Sequence, residues 1–195
     1  MKIAVVGAGI FGITAAVKLS EAGYVVDLYE KNPDILTAAS GINQYRLHRG
    51  YHYPRSKSTA LSSKYSEDSF REEYGPAVID DNEHYYCIAK DGSKVKGHEY
   101  LNFSKECDLE HETTQINHVH GHMVDLVIKG KESLLDPLKL KELCVEKIKT
   151  SKIDLLLNKA FGPEQIDNYD IVVNCTYANS NFILEKYPEA KREYQ

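Results

Sequence analysis

The chain has 195 residues, 42% of them hydrophobic, and 24 Lys and Arg against 29 Asp and Glu leave a net charge of -5. That suffices for a buried core in one large domain or two small ones, and it excludes a general attraction to nucleic acid or anionic lipid. No apolar stretch is long enough to span a membrane and the first strand starts too early to leave room for a signal peptide, so the cytoplasm is the default expectation. Cys87, Cys107, Cys144 and Cys175 form no Cys-x-x-Cys pair, which argues against structural zinc and a disulfide framework and predicts reduced thiols.

Lys2 to Val6 is an apolar run of the kind expected for a buried parallel strand, and it leads into Gly7-Ala8-Gly9-Ile10-Phe11-Gly12. In a Gly-x-Gly-x-x-Gly turn the first glycine permits the tight bend. The second lets backbone approach a pyrophosphate, and the third lets the next helix pack close on the strand. The helix N-terminus then offers unpaired N–H groups to the phosphates. Ala16 and Leu19 continue a buried helix face, Gly23 ends the helix, and Tyr24 to Tyr29 forms a second strand with Val26 and Leu28 on one face. Glu30, followed by Lys31, falls where an acidic side chain accepts both hydroxyls of an adenosine ribose and repels a 2′-phosphate.

From Asn32 to Ser58 there is no helical period. Within Asn43 to Arg55 lie three arginines, two histidines, three tyrosines and an Asn-Gln pair, preceded by Ser40 and Gly41. Arg46 and Arg49 are suited to hold carboxylate or phosphate oxygens or a negative ring system, with the tyrosines walling off water. The alternative is a solvated basic loop. Ser58 to Tyr74 is an amphipathic helix with Ala60, Leu61, Tyr65 and Phe70 on roughly one side, stopped by Gly75-Pro76. His84 to Ala89 alternates as a strand, and Asp91-Gly92 with Lys94 to Lys96 predicts a hairpin partner. A short helix over Gly97 to Cys107 and a strand over Met123 to Ile128 follow.

Asp136 before Pro137 is a helix N-cap, and Leu138, Leu140, Leu143, Cys144 and Ile148 supply a buried face. Ile153 to Leu157 and Ile171 to Asn174 are runs expected in a parallel sheet covered on both sides. Such sheets bind ligands beyond their carboxyl ends, so Cys175, Thr176 and Tyr177 are expected either beside the cofactor or at an ordinary strand end. His118, His120 and His122 alternate, but without a nearby Asp or Cys they read as solvated surface, and no metal is expected.

On these motifs the chain resembles FAD-dependent oxidoreductases of the D-amino-acid oxidase type, which include glycine and sarcosine oxidases. Val6 to Glu30 follows the FAD fingerprint, and Arg46 and Arg49 match the two arginines of a Thr-Arg-x-x-Arg-like run, with Gln44 and Tyr45 departing from it. Asp170 to Thr176 resembles a strand written Val-Val-x-Ala-Thr-Gly, here with Cys for Ala and Tyr177 for Gly. The resemblance implies an α/β, Rossmann-like FAD/NAD(P)-binding fold over 1–78 and 136–195, with an inserted, partial antiparallel β-rich substrate domain over 79–135. It implies FAD held by Gly7, Ala8, Gly9, Ile10, Phe11, Gly12, Glu30, Lys31, Ser40, Gly41, Asn43, Gln44, Cys175, Thr176 and Tyr177. It further implies hydride transfer from the C–N bond of an amino acid or secondary amine, with Arg46, His48 and Arg49 beside the flavin ring as the catalytic set. No general base is nominated. The partner expected is a small molecule, with a homo-oligomer left open. The chain stops at Gln195, before the family's second half of the substrate domain, and is expected to be truncated and a poor catalyst alone. A non-catalytic nucleotide-binding remnant and an NAD-linked dehydrogenase remain alternatives, since Glu30 serves NAD equally well.

Overall fold

The structure, a computed structural model, describes residues 1–193. The chain divides into two compact units, Met1–Asn43 with the segment from Lys141 onward, and Gln44–Leu140. The first opens with β1 (Lys2–Val6), α1 (Ile10–Glu21) and β2 (Val25–Tyr29). Residues Val26 to Tyr29 of β2 are all buried, including Asp27, because the parallel sheet is covered on both faces. The buried face of α1 is Gly12, Ile13, Ala16, Val17 and Ser20, so Leu19, expected on it, stands beside it, half-buried. Gly23 takes φ +89 with open space around it and ends the helix as expected.

The second unit holds β3 (Arg46–Leu47), α2 (Lys57–Tyr74), β4 (Val78–Ile79), β5 (His84–Ala89), α3 (Gly97–Glu106), β6 (His111–Thr113), β7 (Val124–Gly130) and β8 (Ser133–Leu135). Two antiparallel sheets result, in the orders β3-β8-β4 and β5-β7-β6. The core between these elements gathers Tyr51, Ala60, Tyr100, Phe103, Cys107, Leu109, Leu126 and Ile128. Tyr51 therefore differs from its expected place in a ligand wall. It is 1% exposed, its ring stacks on Tyr86, and its carbonyl accepts from Tyr100 Oη at 2.7 Å.

Two helix and strand expectations change here. The buried positions of α2 are Ala60, Glu67 and Tyr74, while Tyr65 points outward at 71% exposure. A carboxylate takes the inner face because Arg49 and Arg71 pair with it. The hairpin partner at Lys94 to Lys96 does not form. β5 pairs with β7 instead, and the Lys96 N–H donates to Glu99 and the Gly97 N–H to Asp125, which starts α3.

The chain returns through α4 (Pro137–Thr150), β9 (Ile153–Leu156), β10 (Ile171–Asn174) and a single turn, α5 (Ser180–Ile183). Asp136 Oδ1 accepts from the Leu138 and Lys139 N–H groups at 2.9 and 3.0 Å, the N-cap expected before Pro137. Leu140, Cys144 and Ile148 are buried, whereas Leu138, assigned to the same face, is 74% exposed because it occupies the solvent side of the first turn. The completed sheet is parallel, in the order β10-β1-β2-β9, and α1 packs along β1 and β2. On one face Ala4, Val6 and Tyr29 pack with Phe161 and Ile183; Ile3, Val5, Val26 and Leu28 point to the other.

The molecule is thus α/β and Rossmann-like, with antiparallel sheets in its second unit. The division falls at 43/44 and 140/141, whereas the sequence reading drew it at 78/79 and 135/136. Residues 44–78 join the second unit because β3 and β4 both hydrogen-bond to β8.

Candidate functional site

Beyond the carboxyl ends of the parallel strands, the first unit carries a cleft of about 720 Å³. That is within the range of small-molecule and cofactor sites. Its floor is the turn between β1 and α1. Gly7 has φ +101, and a Cβ there would lie 2.7 Å from the Cys175 carbonyl oxygen at the end of β10. Only glycine meets both demands. A Cβ on Gly12 would collide with the Gly7 carbonyl, so the helix approaches the strand as closely as backbone allows. Gly9 is the N-cap of α1 and contributes no side-chain cap. Ser40 Oγ accepts from the Ile10 N–H at 3.1 Å and would lie 3.2 Å from a Cβ on Gly9. An oxygen acceptor thus already sits over the first turn of α1, where the helix dipole favours negative charge.

Glu30 ends β2. Its Oε2 accepts from the Ala8 N–H and its Oε1 from the Asn32 N–H, each at 2.9 Å. A carboxylate offers about four lone-pair sites, so each oxygen keeps one for a further donor such as a ribose hydroxyl. The backbone bonds fix where those lone pairs point. At the other wall the Cys175 N–H donates to the Val6 carbonyl, and Thr176 Oγ1 donates to Asn174 Oδ1 at 2.7 Å. Burial pushes the Cys175 thiol up, which keeps it protonated. Tyr177, which replaces the glycine of the resembling strand, has φ +54 and is 82% exposed. A bulky residue rarely adopts that backbone.

Of the residues predicted from sequence, Gly7, Gly9, Ile10, Phe11, Glu30, Lys31, Ser40, Asn43, Cys175, Thr176 and Tyr177 line this cleft. Ala8 and Gly12 are buried beneath it, Ala8 reaching it through its bond to Glu30. Gly41 and Gln44 do not line it. Gly41 packs on the Leu36 carbonyl, where a Cβ would clash, and Gln44 begins the second unit. The sequence reading missed Asn32, Lys159, Ala160, Phe161 and Phe182. Lys159 to Phe161 follow β9, so the rule that ligands lie beyond parallel strand ends, applied there to β10, would have found them.

Arg46, His48 and Arg49 lie in the second unit, gathered on one carboxylate that the sequence reading did not single out. The Glu132 side chain is fully buried and ion-pairs with Arg46. It accepts from Tyr86 Oη at 2.6 Å and from the Arg49 N–H at 2.9 Å, and His48 Nδ1 lies 3.4 Å away. That last separation is an ion-pair distance without hydrogen-bond alignment. Burial drives the Glu132 carboxyl upward, but the contacts from His48, Tyr86, Arg46 and the Arg49 backbone outweigh it and hold the group at about 2. Tyr86 is pushed up by burial and by Glu132, so it remains a phenol donor. Arg49 Nε pairs with Glu67 at 3.2 Å, and Arg71 pairs with both Glu67 and Asp80. The guanidinium groups are therefore already balanced by carboxylates, which the reading of them as free cations did not anticipate. Among the described residues no group of three or more His, Cys, Asp or Glu side chains is placed to hold a metal ion, and His118, His120 and His122 lie outside any strand.

A four-stranded parallel sheet, a glycine turn into a helix and an acidic residue ending the second strand define a dinucleotide-binding unit. Residues 2–127 match the family described as FAD dependent oxidoreductase, and the chain belongs to that family. FAD is accordingly the cofactor, and the glycine turn and Glu30 fit its adenosine diphosphate part. The FAD-dependent monooxygenase kojA of Aspergillus flavus is 39% identical over 79 residues, covering 40% of this chain and 18% of that protein. L-proline dehydrogenase from P. horikoshii shares the fold at TM-score 0.61 and 21% identity, over 98% of this chain and 56% of that one. Glycine oxidase from Geobacillus kaustophilus does so at TM-score 0.62 and 12% identity, over 82% and 47%. The chain thus spans about half the length of these solved structures. No helix among the described residues is long and apolar enough to cross a membrane.

Proposed function

We propose that this chain forms the FAD-binding part of an oxidoreductase that oxidises the C–N bond of an amino acid or secondary amine. The observation that carries the reading is the Glu30 carboxylate. It is pinned by two backbone N–H groups at the mouth of the glycine turn, with one lone pair on each oxygen left for the hydroxyls of an adenosine ribose. Gly9, Ile10 and Phe11 at the start of α1 receive the diphosphate, with Ser40 beside them. Asn43, Cys175, Thr176 and Tyr177 wall the cleft. FAD, when bound, supplies the acceptor for a hydride from the carbon that carries nitrogen. Arg46, His48 and Arg49 come shortly after Asn43 in the chain and form the catalytic set, and the second unit is the substrate side. The names of the solved relatives, proline dehydrogenase and glycine oxidase, support amino acids as the substrate class. Four free cysteines support the cytoplasm as the compartment.

The test is an absorbance spectrum of the purified chain after incubation with FAD and removal of the excess, followed by anaerobic addition of an amino-acid panel. A retained flavin band that one amine bleaches slowly, without steady turnover, is the expected result. A retained band that no amine bleaches makes the chain a nucleotide-binding module, and binding of NAD in place of FAD makes it a dehydrogenase; either overturns the proposal.

A further inference from the structure

Glu132 belongs to the second unit and carries more partners than an ion pair with Arg46 requires. Its two oxygens meet the Arg46 guanidinium, Tyr86 Oη, the Arg49 N–H and His48 Nδ1, and its own carbonyl accepts from Asn82 Nδ2 at 2.8 Å. A fully buried charge of this kind persists only when it is paired and hydrogen-bonded. The same surroundings hold His48 Nδ1, Asn82 Oδ1 and His84 Nε2, three buried polar atoms without a hydrogen-bond partner. Polar atoms left so in a native fold are met by an ordered water or ion, held under strain, or kept for chemistry.

The His48 ring is fixed on several sides. It stacks on His52 at 5.5 Å and meets the edge of Tyr53 at 6.1 Å, and its backbone carbonyl accepts from Ser63 Oγ of α2 at 2.7 Å. Arg46, whose guanidinium would otherwise repel a charged imidazole, is neutralised by Glu132 itself. An ionised carboxylate accepts and cannot donate, so at 3.4 Å it favours a proton over a lone pair on the nitrogen that faces it. With Nδ1–H turned toward Glu132, the neutral imidazole has its lone pair on Nε2. About a third of the side chain is exposed, and Nε2 is not among the buried unpartnered atoms.

We propose that Glu132 is a positioning residue that holds His48 as the Nδ1–H tautomer and so makes Nε2 of His48 the proton acceptor of the 46–49 segment. The inference rests on the oxidoreductase reading above and gives it the base that the sequence did not nominate. An amino substrate reaches the protein as an ammonium ion; one N–H bond breaks, its electron pair stays on nitrogen, and the proton passes to Nε2. The imidazolium so formed keeps Nδ1–H toward the Glu132 carboxylate, which it then shares with Arg46. Arg46 and Arg49 then serve as the paired frame of the segment rather than as free cations.

The experiment is long-range proton–nitrogen NMR of the histidine rings in the full chain without FAD, with the His48 signals assigned by their loss in His48→Asn. The expected result is the Nδ1–H tautomer at His48 in the natural protein, with that preference lost in Glu132→Gln and restored in Glu132→Asp. An Nε2–H tautomer in the natural protein overturns the proposal, and that readout stands even if Glu132→Gln fails to fold. A folded Glu132→Gln that keeps the Nδ1–H tautomer overturns it as well. FAD binding is measured separately by quenching of flavin fluorescence, so failure of the cofactor reading is distinguishable from failure of the tautomer.

Discussion

Gly7 and Gly23 make a matched pair for testing what the nucleotide turn costs to alter. Both have positive φ, +101 and +89, so alanine at either position adopts a strained backbone. The strain is roughly 1–2 kcal/mol in each case. Gly23 has nothing within 4 Å of the added Cβ, and Gly23→Ala carries the strain alone. At Gly7 the new Cβ lies 2.7 Å from the Cys175 carbonyl oxygen and 3.2 Å from its carbon, both backbone atoms of the neighbouring strand. Those atoms can yield only if β10 moves, and overpacking of this sort adds about 1–3 kcal/mol. Gly7→Ala therefore loses roughly 2–5 kcal/mol in total. In a chain of this size each 1 kcal/mol lowers Tm by about 2–4 °C. Urea unfolding of the three proteins, followed by circular dichroism, measures the difference. Equal losses for the two variants would refute the claim that Gly7 is required by its approach to β10.

Three further outcomes follow from the same geometry. Glu132 has a folded pKa of about 2 against an ordinary 4.5, so its stabilising contribution is fully present above about pH 4.5 and is lost as pH falls through 2. At about 1.4 kcal/mol per pH unit that amounts to about 3 kcal/mol, and urea stability measured at pH 5, 4 and 3 should fall more steeply in the natural protein than in Glu132→Gln. Asp136→Ala removes the acceptor for the Leu138 and Lys139 N–H groups and is expected to cost about 1 kcal/mol, read as a lower urea midpoint with unchanged slope. Tyr177→Gly relieves the left-handed backbone at φ +54, and a calorimetric Tm raised by an amount equivalent to about 1 kcal/mol is expected. A lowered Tm would mean that the exposed phenol contributes more than its backbone costs.

The parallel sheet was legible because its signals are local. Each strand is a mostly apolar run, interrupted by Asp27 in β2 and Asp154 in β9, and Gly7, Gly12 and Glu30 have jobs that almost no other residue performs in that turn. The second unit was harder to read for two reasons. Its strands β3, β4 and β8 are two or three residues long, too short for a period of two to be visible, and their pairing joins residues more than fifty positions apart. Its key charges also change character on folding. Glu132 in Gly130-Lys131-Glu132 and Glu67 in the middle of α2 look like ordinary surface acids until Arg46, Arg49 and Arg71 are brought to them. Tyr51 was misassigned for a related reason: an aromatic residue in a polar cluster gives no local sign of which side of the backbone faces the core.

The most direct test of the nucleotide site is a fluorescence titration of FAD with the purified chain and with Glu30→Ala. The geometry predicts saturable quenching for the natural chain and affinity weakened about tenfold or more in the variant, since two charge-assisted acceptors are lost. Quenching that is absent in the natural chain, or identical in both proteins, would contradict the assignment of the cleft to the adenosine half of FAD.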